Sequence, residues 1–269
     1  MMRRKRKDNV RRQGRAHTVL TCLLALTGAA VMLYPTLSNL YCQHRYAQEA
    51  EAFANGQSAV ETATLWESAE AYNAVLAEKK DQFVLTQEEC ERIESCLNPL
   101  GTGMMGTVEI TKIHVDLPIY QGTEEKQLQS GCGWWPGTSL PTGGADTHSV
   151  ITAHTGLAKA KLFTDLDQLE VGDRFTLHIL DRSMTYEVDQ ILVTEPEELD
   201  ALRIVPGEDL VTLYTCTPYG INSHRLLVRG RRVGEERAAE ADRSMAWWVV
   251  PAALAGTVAA VLAGRRRRE

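Results

Sequence analysis

Charge is missing from two stretches of this chain: residues 16–43 hold no Asp, Glu, Lys or Arg, and neither do residues 244–264. No glycine-rich loop follows a candidate strand, which removes the usual phosphate cradle. The six cysteines (Cys22, Cys42, Cys90, Cys96, Cys132 and Cys216) fall into no zinc spacing. No internal repeat is visible. No calcium ligand set stands out, and no cofactor or metal is expected.

What is present is sorted by charge. Of the formal net charge of −6, residues 1–15 carry +7 and residues 265–269 carry +3, leaving −16 for residues 16–264. Each basic end abuts one of the charge-free runs. The first has the core Val19–Tyr34 (VLTCLLALTGAAVMLY), and the second includes Trp247, Trp248, Val249, Val250 and Leu262. A helix needs about 20 apolar residues to cross a bilayer, and both runs are long enough. Basic flanks predict a cytoplasmic side for both termini. The layout expected is a basic tail (1–15), a signal-anchor helix (16–41), an extracellular portion, a linker (237–243), a second membrane helix (244–264) and a basic tail (265–269). Ala29-Ala30 leaves a cleaved signal peptide as the alternative for the first run. Nucleic acid is not an expected partner, because the apolar neighbours account for the basic ends.

Within the extracellular portion the periodicity changes once. Residues 45–80 read as helix, with Leu65, Ala69, Tyr72 and Leu76 at spacings of three and four and a break at Asn55-Gly56. Residues 85–97 read as a short helix, with Thr86 as N-cap and Glu89 three residues on. The helical extension is therefore placed at 42–100. From Gly101 the pattern turns to period two. Val108, Ile110 and Ile113 begin it; Phe175, Leu177 and Ile179 continue it, as do Tyr186 and Val188, then Val211, Leu213 and Thr215, then Leu226 and Val228. Turn signals at Gly143-Gly144, Gly172-Asp173, Pro206-Gly207 and Pro218-Tyr219-Gly220 separate these runs. Many short strands with turns predict a mainly β domain, a barrel or sandwich, over 101–236. Cys90 and Cys96 are open to pairing in an oxidising exterior or to remaining thiols.

Two residues carry candidate chemistry. Cys216, in Thr212-Leu213-Tyr214-Thr215-Cys216-Thr217-Pro218, ends a candidate strand before a turn, where a side chain is held yet accessible. A nucleophilic thiolate needs positive charge nearby, and Arg225 lies nine residues on, across a possible hairpin. His154 ends the run Val150-Ile151-Thr152 before Gly156, and an imidazole can take and return a proton near neutrality.

These segments together resemble the sortases. TLYTC matches the TLxTC signature with Cys216 at the nucleophile position; ITAHTGL resembles the segment of the catalytic histidine, His154; INSHRLLVRGRRV resembles the strand of the catalytic arginine, Arg225. MMGTVEITKI, AKLFTDLDQLEVGD and TCTPYGINSHRLLVRG are similar to segments of the class C, pilin-polymerising sortases of Gram-positive bacteria. The resemblance implies an eight-stranded β-barrel. It implies thioester transfer from an LPXTG-like sorting motif to a pilin lysine, with Cys216 attacking, His154 as acid/base and Arg225 stabilising charge. Thr215 and Thr217, which flank the thiol, are the candidate substrate-binding or oxyanion residues. It also implies a lid, written Asp-Pro-Phe or Asp-Pro-Trp in the class; here Asp81-Gln82-Phe83 stands in its place, with Gln82 for the proline. Phe83 is then expected over the thiol and Asp81 beside Arg225. The expected partners are pilin subunits and the membrane. A peptidoglycan-anchoring sortase and an inactive membrane scaffold are the alternatives.

Overall fold

The computed structural model describes residues 2–57 and 60–234. Among them are eight strands that close into a barrel: β1 (Met104–Ile110), β2 (Val115–Gln121), β3 (Cys132–Trp134), β4 (Thr147–Thr152), β5 (Arg174–Ile179), β6 (Arg182–Thr194), β7 (Asp209–Thr217) and β8 (His224–Arg232). Around the barrel the order is β1-β2-β3-β4-β7-β8-β6-β5. The pairs β2–β3 and β4–β7 are parallel, and the other six are antiparallel. Closure leaves no exposed sheet edge.

The alternating apolar residues face inward. Phe175, Leu177 and Ile179 of β5, Tyr186 and Val188 of β6, Val211 and Leu213 of β7, and Leu226 and Val228 of β8 are all buried in one contiguous core. Side chains two apart share a face of a strand, so these runs fill the interior. Phe175 and Tyr186 stack inside it with centroids 5.6 Å apart. Ile113 is also buried, but it lies in a 3-10 turn after β1 rather than in a strand. Gly106 of β1 must be glycine, because a Cβ there would lie 2.0 Å from the His178 carbonyl oxygen of β5.

Among the described residues four α-helices precede or decorate the barrel. The first, α1 (Met2–Gln57), is continuous. It ends one residue beyond Gly56, at the break expected from Asn55-Gly56, and the Leu100 side chain packs so closely on Gly56 that a Cβ would meet it at 2.9 Å. From Leu20 to Leu37 its residues are exposed, and an apolar segment beginning at Leu20 is long enough to span a membrane. Farther along, Cys42, Tyr46 and Phe53 are buried against the barrel. The Ser38 hydroxyl donates to Lys159 O at 2.9 Å, and the Asn39 side chain accepts from Lys161 N at 2.9 Å. Helix α2 (Ala63–Ala77) buries Trp66, Ala69, Tyr72, Asn73 and Leu76. Helix α3 (Gln87–Ser95) carries the expected capping box, with Thr86 and Glu89 satisfying each other's backbone N–H. The short α4 (Glu125–Ser130) connects β2 to β3. All six cysteines are free thiols, so Cys90 and Cys96 are not bonded. The C-terminal run 244–264 lies outside the described residues.

Candidate active site

Three strand ends meet at one rim. Cys216, on β7, pairs directly with Arg225, on β8. Opposite residues on adjacent antiparallel strands project on the same side, with Cβ atoms about 5 Å apart. On the other flank of β7 runs β4, whose Thr152 is level with Tyr214. The ladder continues past the strand end: Ala153 N donates to Tyr214 O at 3.2 Å, and the Thr215 hydroxyl donates to Ala153 O at 2.7 Å. Extending this register by two residues brings His154 level with Cys216. The sheet thus places His154, Cys216 and Arg225 in one row. Phe163 N donates to His154 O at 3.1 Å and fixes the backbone there.

Each member of the row has a local frame. The Arg225 Nη1 donates to Asn222 O and His224 O, both at 3.0 Å, which bends the guanidinium over the β7–β8 turn. One step back along the strands, Tyr214 faces Leu227 and packs edge-on against Trp135 at 5.0 Å. Burial raises the Tyr214 phenol above its ordinary range, while the neighbouring Arg225 works the other way. His154 is partly exposed, and its Nε2 lies 3.5 Å from Glu125 Oε2 at the start of α4. The contact is an ion pair only when His154 is protonated, and the Nε2 atom itself is shielded from solvent. No local pattern marks Glu125: it stands 29 positions before His154 and meets it because β2 and β3 are parallel and α4 bridges them.

The two threonines beside the thiol divide. Thr217 lies at the open end of β7 opposite His224. Thr215 is buried, with its hydroxyl bound to Ala153 O. Its side chain faces the interior and anchors the end of β4.

The Asp81–Phe83 segment docks differently from the expectation as well. Asp81 Oδ1 is 3.8 Å from Arg203 Nη1, and the Arg203 guanidinium covers the Phe83 ring at 5.3 Å. Asp81 is therefore paired with Arg203 in the β6–β7 loop, whereas the Arg225 bonds go to the carbonyls of its own turn. Phe83 packs with Val150, Leu202, Tyr214 and Leu227. This patch is one row below Cys216 and Arg225, roughly 7 Å along the strands, so Phe83 borders the site from beneath.

Gln82, in the place of the lid proline, is only 5% exposed. Its Nε2 donates to Gly137 O at 3.2 Å and Leu202 O at 3.4 Å, and its Oε1 accepts from Ile204 N at 3.0 Å. A buried amide with both ends bonded holds the segment where a fixed φ would otherwise stiffen it.

The same loop is tied to the barrel by His148 of β4. Its Nδ1 is 2.8 Å from Arg203 O and its Nε2 2.7 Å from the Thr212 hydroxyl. Burial drives this imidazole down to about 4, so it is neutral near pH 7.

A cleft of about 630 Å³ lies at the other end of β4 and β7 beside Asn73, Thr142, Gly143 and Thr147. Seven residues of β7 separate it from Cys216, roughly 23 Å. A second cleft of about 440 Å³ touches the rim, between Pro35, Thr36 and Asn39 of α1 and Gly156, Leu157 and Tyr219. No group of three metal-ligating side chains occurs among the described residues.

Residues 108–233 match the family model of the sortase domain. In structure and sequence the chain is similar to sortase C1 of Streptococcus agalactiae (41% identity, 70% of this chain and 99% of that chain, TM-score 0.68). It is likewise similar to sortase C of Streptococcus pneumoniae (44% identity, 70% and 97%, TM-score 0.61) and to sortase C-1 of Actinomyces oris (47% identity, 65% and 99%, TM-score 0.59). The chain belongs to the sortase family. More distant is the curated sortase A of Bacillus anthracis, 27% identical over 131 residues; the match spans 60% of that relative's length. These sortases C resemble the chain over nearly their whole solved length. The eight-stranded barrel with an N-terminal helical extension, expected from the sequence, is the fold observed.

Proposed function

We propose that this chain is a membrane-anchored cysteine transpeptidase that joins pilin subunits. The observation that carries this reading is the register that sets Cys216 opposite Arg225 on β8 and level with His154 beyond β4. The solved relatives add support: one is the sortase C1 of a Streptococcus agalactiae pilus island, and the Streptococcus pneumoniae sortase C is described for its pilin substrate specificity.

Cys216 attacks the Thr–Gly carbonyl of an LPXTG-like motif as a thiolate. His154 gives a proton to the leaving glycine amine, and a thioester results. The tetrahedral oxyanion forms beside Arg225, whose guanidinium stays charged at any working pH, with the Thr217 backbone N–H as a second donor. A pilin lysine then resolves the thioester into an isopeptide bond, with His154 accepting the proton. No metal or cofactor enters this scheme. The Asp81–Phe83 segment acts as a lid that narrows the groove beneath the thiol and limits water access to the thioester.

The apolar, exposed part of α1 is read as the membrane anchor, with residues 1–15 in the cytoplasm and the barrel outside. A second span at 244–264 completes this topology and returns 265–269 to the cytoplasm.

The test is intact-mass analysis of the full chain in detergent after incubation with an LPXTG-type peptide. A thioester adduct on the unaltered protein, lost in Cys216→Ala, supports the reading. No adduct across several sorting motifs, or an adduct that persists in Cys216→Ala, overturns it.

A further inference from the structure

With α1 read as the anchor, the helix gauges how the barrel stands on the lipid. Residues 16–43 carry no Asp, Glu, Lys or Arg. Laid from Ala16, about 20 residues cross the hydrocarbon core and bring residues 36–43 into the headgroup layer. The clasp on the barrel falls there: the Ser38 hydroxyl donates to Lys159 O, and the Asn39 side chain accepts from Lys161 N. Eighteen residues farther on, about 27 Å of helix, Gln57 Nε2 donates to Leu180 O in the β5–β6 turn. The rim that carries His154 and Cys216 therefore faces the membrane, and the β5–β6 turn is remote from it.

Two large apolar side chains stand out on that rim. Tyr219 is 69% exposed and Ile221 72% exposed, both between β7 and β8. The Tyr219 ring lies over Gly156, where an added Cβ would meet it at 3.4 Å. It shares the cleft of about 440 Å³ with Pro35, Thr36 and Asn39 of α1. Tyr219 is thus level with the part of the helix that occupies the headgroup layer.

We propose that the β7–β8 turn, through Tyr219 and Ile221, is a second contact with the phospholipid surface. The inference rests on α1 being the membrane anchor.

Three observations favour lipid as the occupant. First, the apolar surface continues that of the anchor, since Leu33, Tyr34 and Leu37 of α1 are exposed close to the cleft. Second, residues 217–223 hold no Asp, Glu, Lys or Arg, so the turn enters a headgroup layer without desolvating a charge, and an amphipathic ring such as that of Tyr219 is favoured at this depth. Third, the neighbouring segment 155–162 carries Lys159 and Lys161 and no acidic residue, although Lys161 is paired with Asp165. Basic groups at that depth are drawn to anionic lipid. The contact bears on the site as well. Asn222 O, next to Ile221, accepts from Arg225 Nη1 at 3.0 Å, so lipid that holds the turn holds the frame of the guanidinium.

The experiment uses the full, unaltered chain in nanodiscs of phosphatidylglycerol and phosphatidylcholine, with isotope-labelled Ile and Met methyl groups read by NMR. A fraction of the lipid carries a nitroxide on its headgroup, and Ile221→Val and Met32→Leu assign two resonances. Met32, exposed in the apolar part of α1, reports the anchor. Ile179, beside Leu180 at the end of β5, reports the remote end. The Ile221 and Met32 signals are expected to be lost to broadening while Ile179 stays sharp, and Tyr219→Ser should restore part of the Ile221 intensity. Loss at Met32 with Ile221 as sharp as Ile179 would overturn the proposal and leave the anchor reading standing. Equal loss at Ile221 and Ile179 would overturn it too, because the barrel would then meet lipid without preference for this rim. If Met32 also stays sharp, the anchor reading itself has failed, and the inference falls with it.

Discussion

Removing the amide of Gln82 should loosen the segment that borders the site, by an amount that can be worked out. The Gln82 side chain makes three hydrogen bonds, to Gly137 O, Leu202 O and Ile204 N. A net contribution of about 1 kcal/mol per bond gives roughly 2–3 kcal/mol for the set. At 1.4 kcal/mol per factor of ten, Gln82→Ala should shift the docked–undocked balance by about 30- to 150-fold. The remaining contacts, Asp81 with Arg203 and Arg203 over Phe83, are partly exposed and add little. The assay is amide hydrogen exchange in the native state, read on peptides covering 79–86 and 199–206. Exchange at the Ile204 N–H should accelerate by about that factor, while strands β7 and β8 stay protected. Gln82→Glu, which sets a buried carboxylate against the carbonyls of Gly137 and Leu202, should loosen the segment at least as much. Acylation by a sorting peptide should quicken in both. An Ile204 amide whose exchange does not change in Gln82→Ala would refute the reasoning, because its acceptor would have gone without consequence.

Arg225→Lys keeps the charge but cannot bond Asn222 O and His224 O from one planar group; thioester formation should drop by about 100-fold with the melting temperature little changed, measured by intact mass and calorimetry. His148 is neutral in the fold down to about 4 but titrates near 6.5 when unfolded. Its contribution is complete above pH 6.5. It is lost as pH falls from 6.5 toward 4, by about 3 kcal/mol in all, and His148→Gln should flatten that part of a stability–pH curve from chemical denaturation. Gly106→Ala places a methyl 2.0 Å from a backbone oxygen of β5, so the β1–β5 seam must part; a loss of more than about 2 kcal/mol is expected in urea unfolding.

The barrel was legible because its interior is written at period two. Phe175, Leu177 and Ile179 could only face one way, and they face the core. The same rule sets the faces of β7. Val211, Leu213 and Thr215 share a face, so Thr215 had to turn inward while Cys216 turned out. The capping box of α3 was equally visible, since it is made within four residues. Ile113 was misread as strand because a buried 3-10 turn is as apolar as a strand end. What the sequence did not disclose are contacts between loops. Arg203 lies in the aperiodic stretch between β6 and β7, and nothing local marks it as the partner of Asp81 and Phe83. Gln82 reads as a weakened lid until its three partners are seen. Glu125 meets His154 only through a parallel pairing two strands away. The C-terminal run, strong as a signal, falls outside the described residues.

Helix α1 has one more consequence. It enters the barrel without interruption, and Ser38 and Asn39 clasp the loop that follows His154. With the apolar segment of α1 read as the anchor, about 20 residues after Ala16 reach Pro35, at the level where that clasp begins. The enzyme is then not a balloon on a string but a lamp on a rigid post, with its working face at a set height close to the lipid surface. Substrates would be sorted by reach: a cleavage motif too far out from its own membrane segment would pass above the thiol, however well its residues fit.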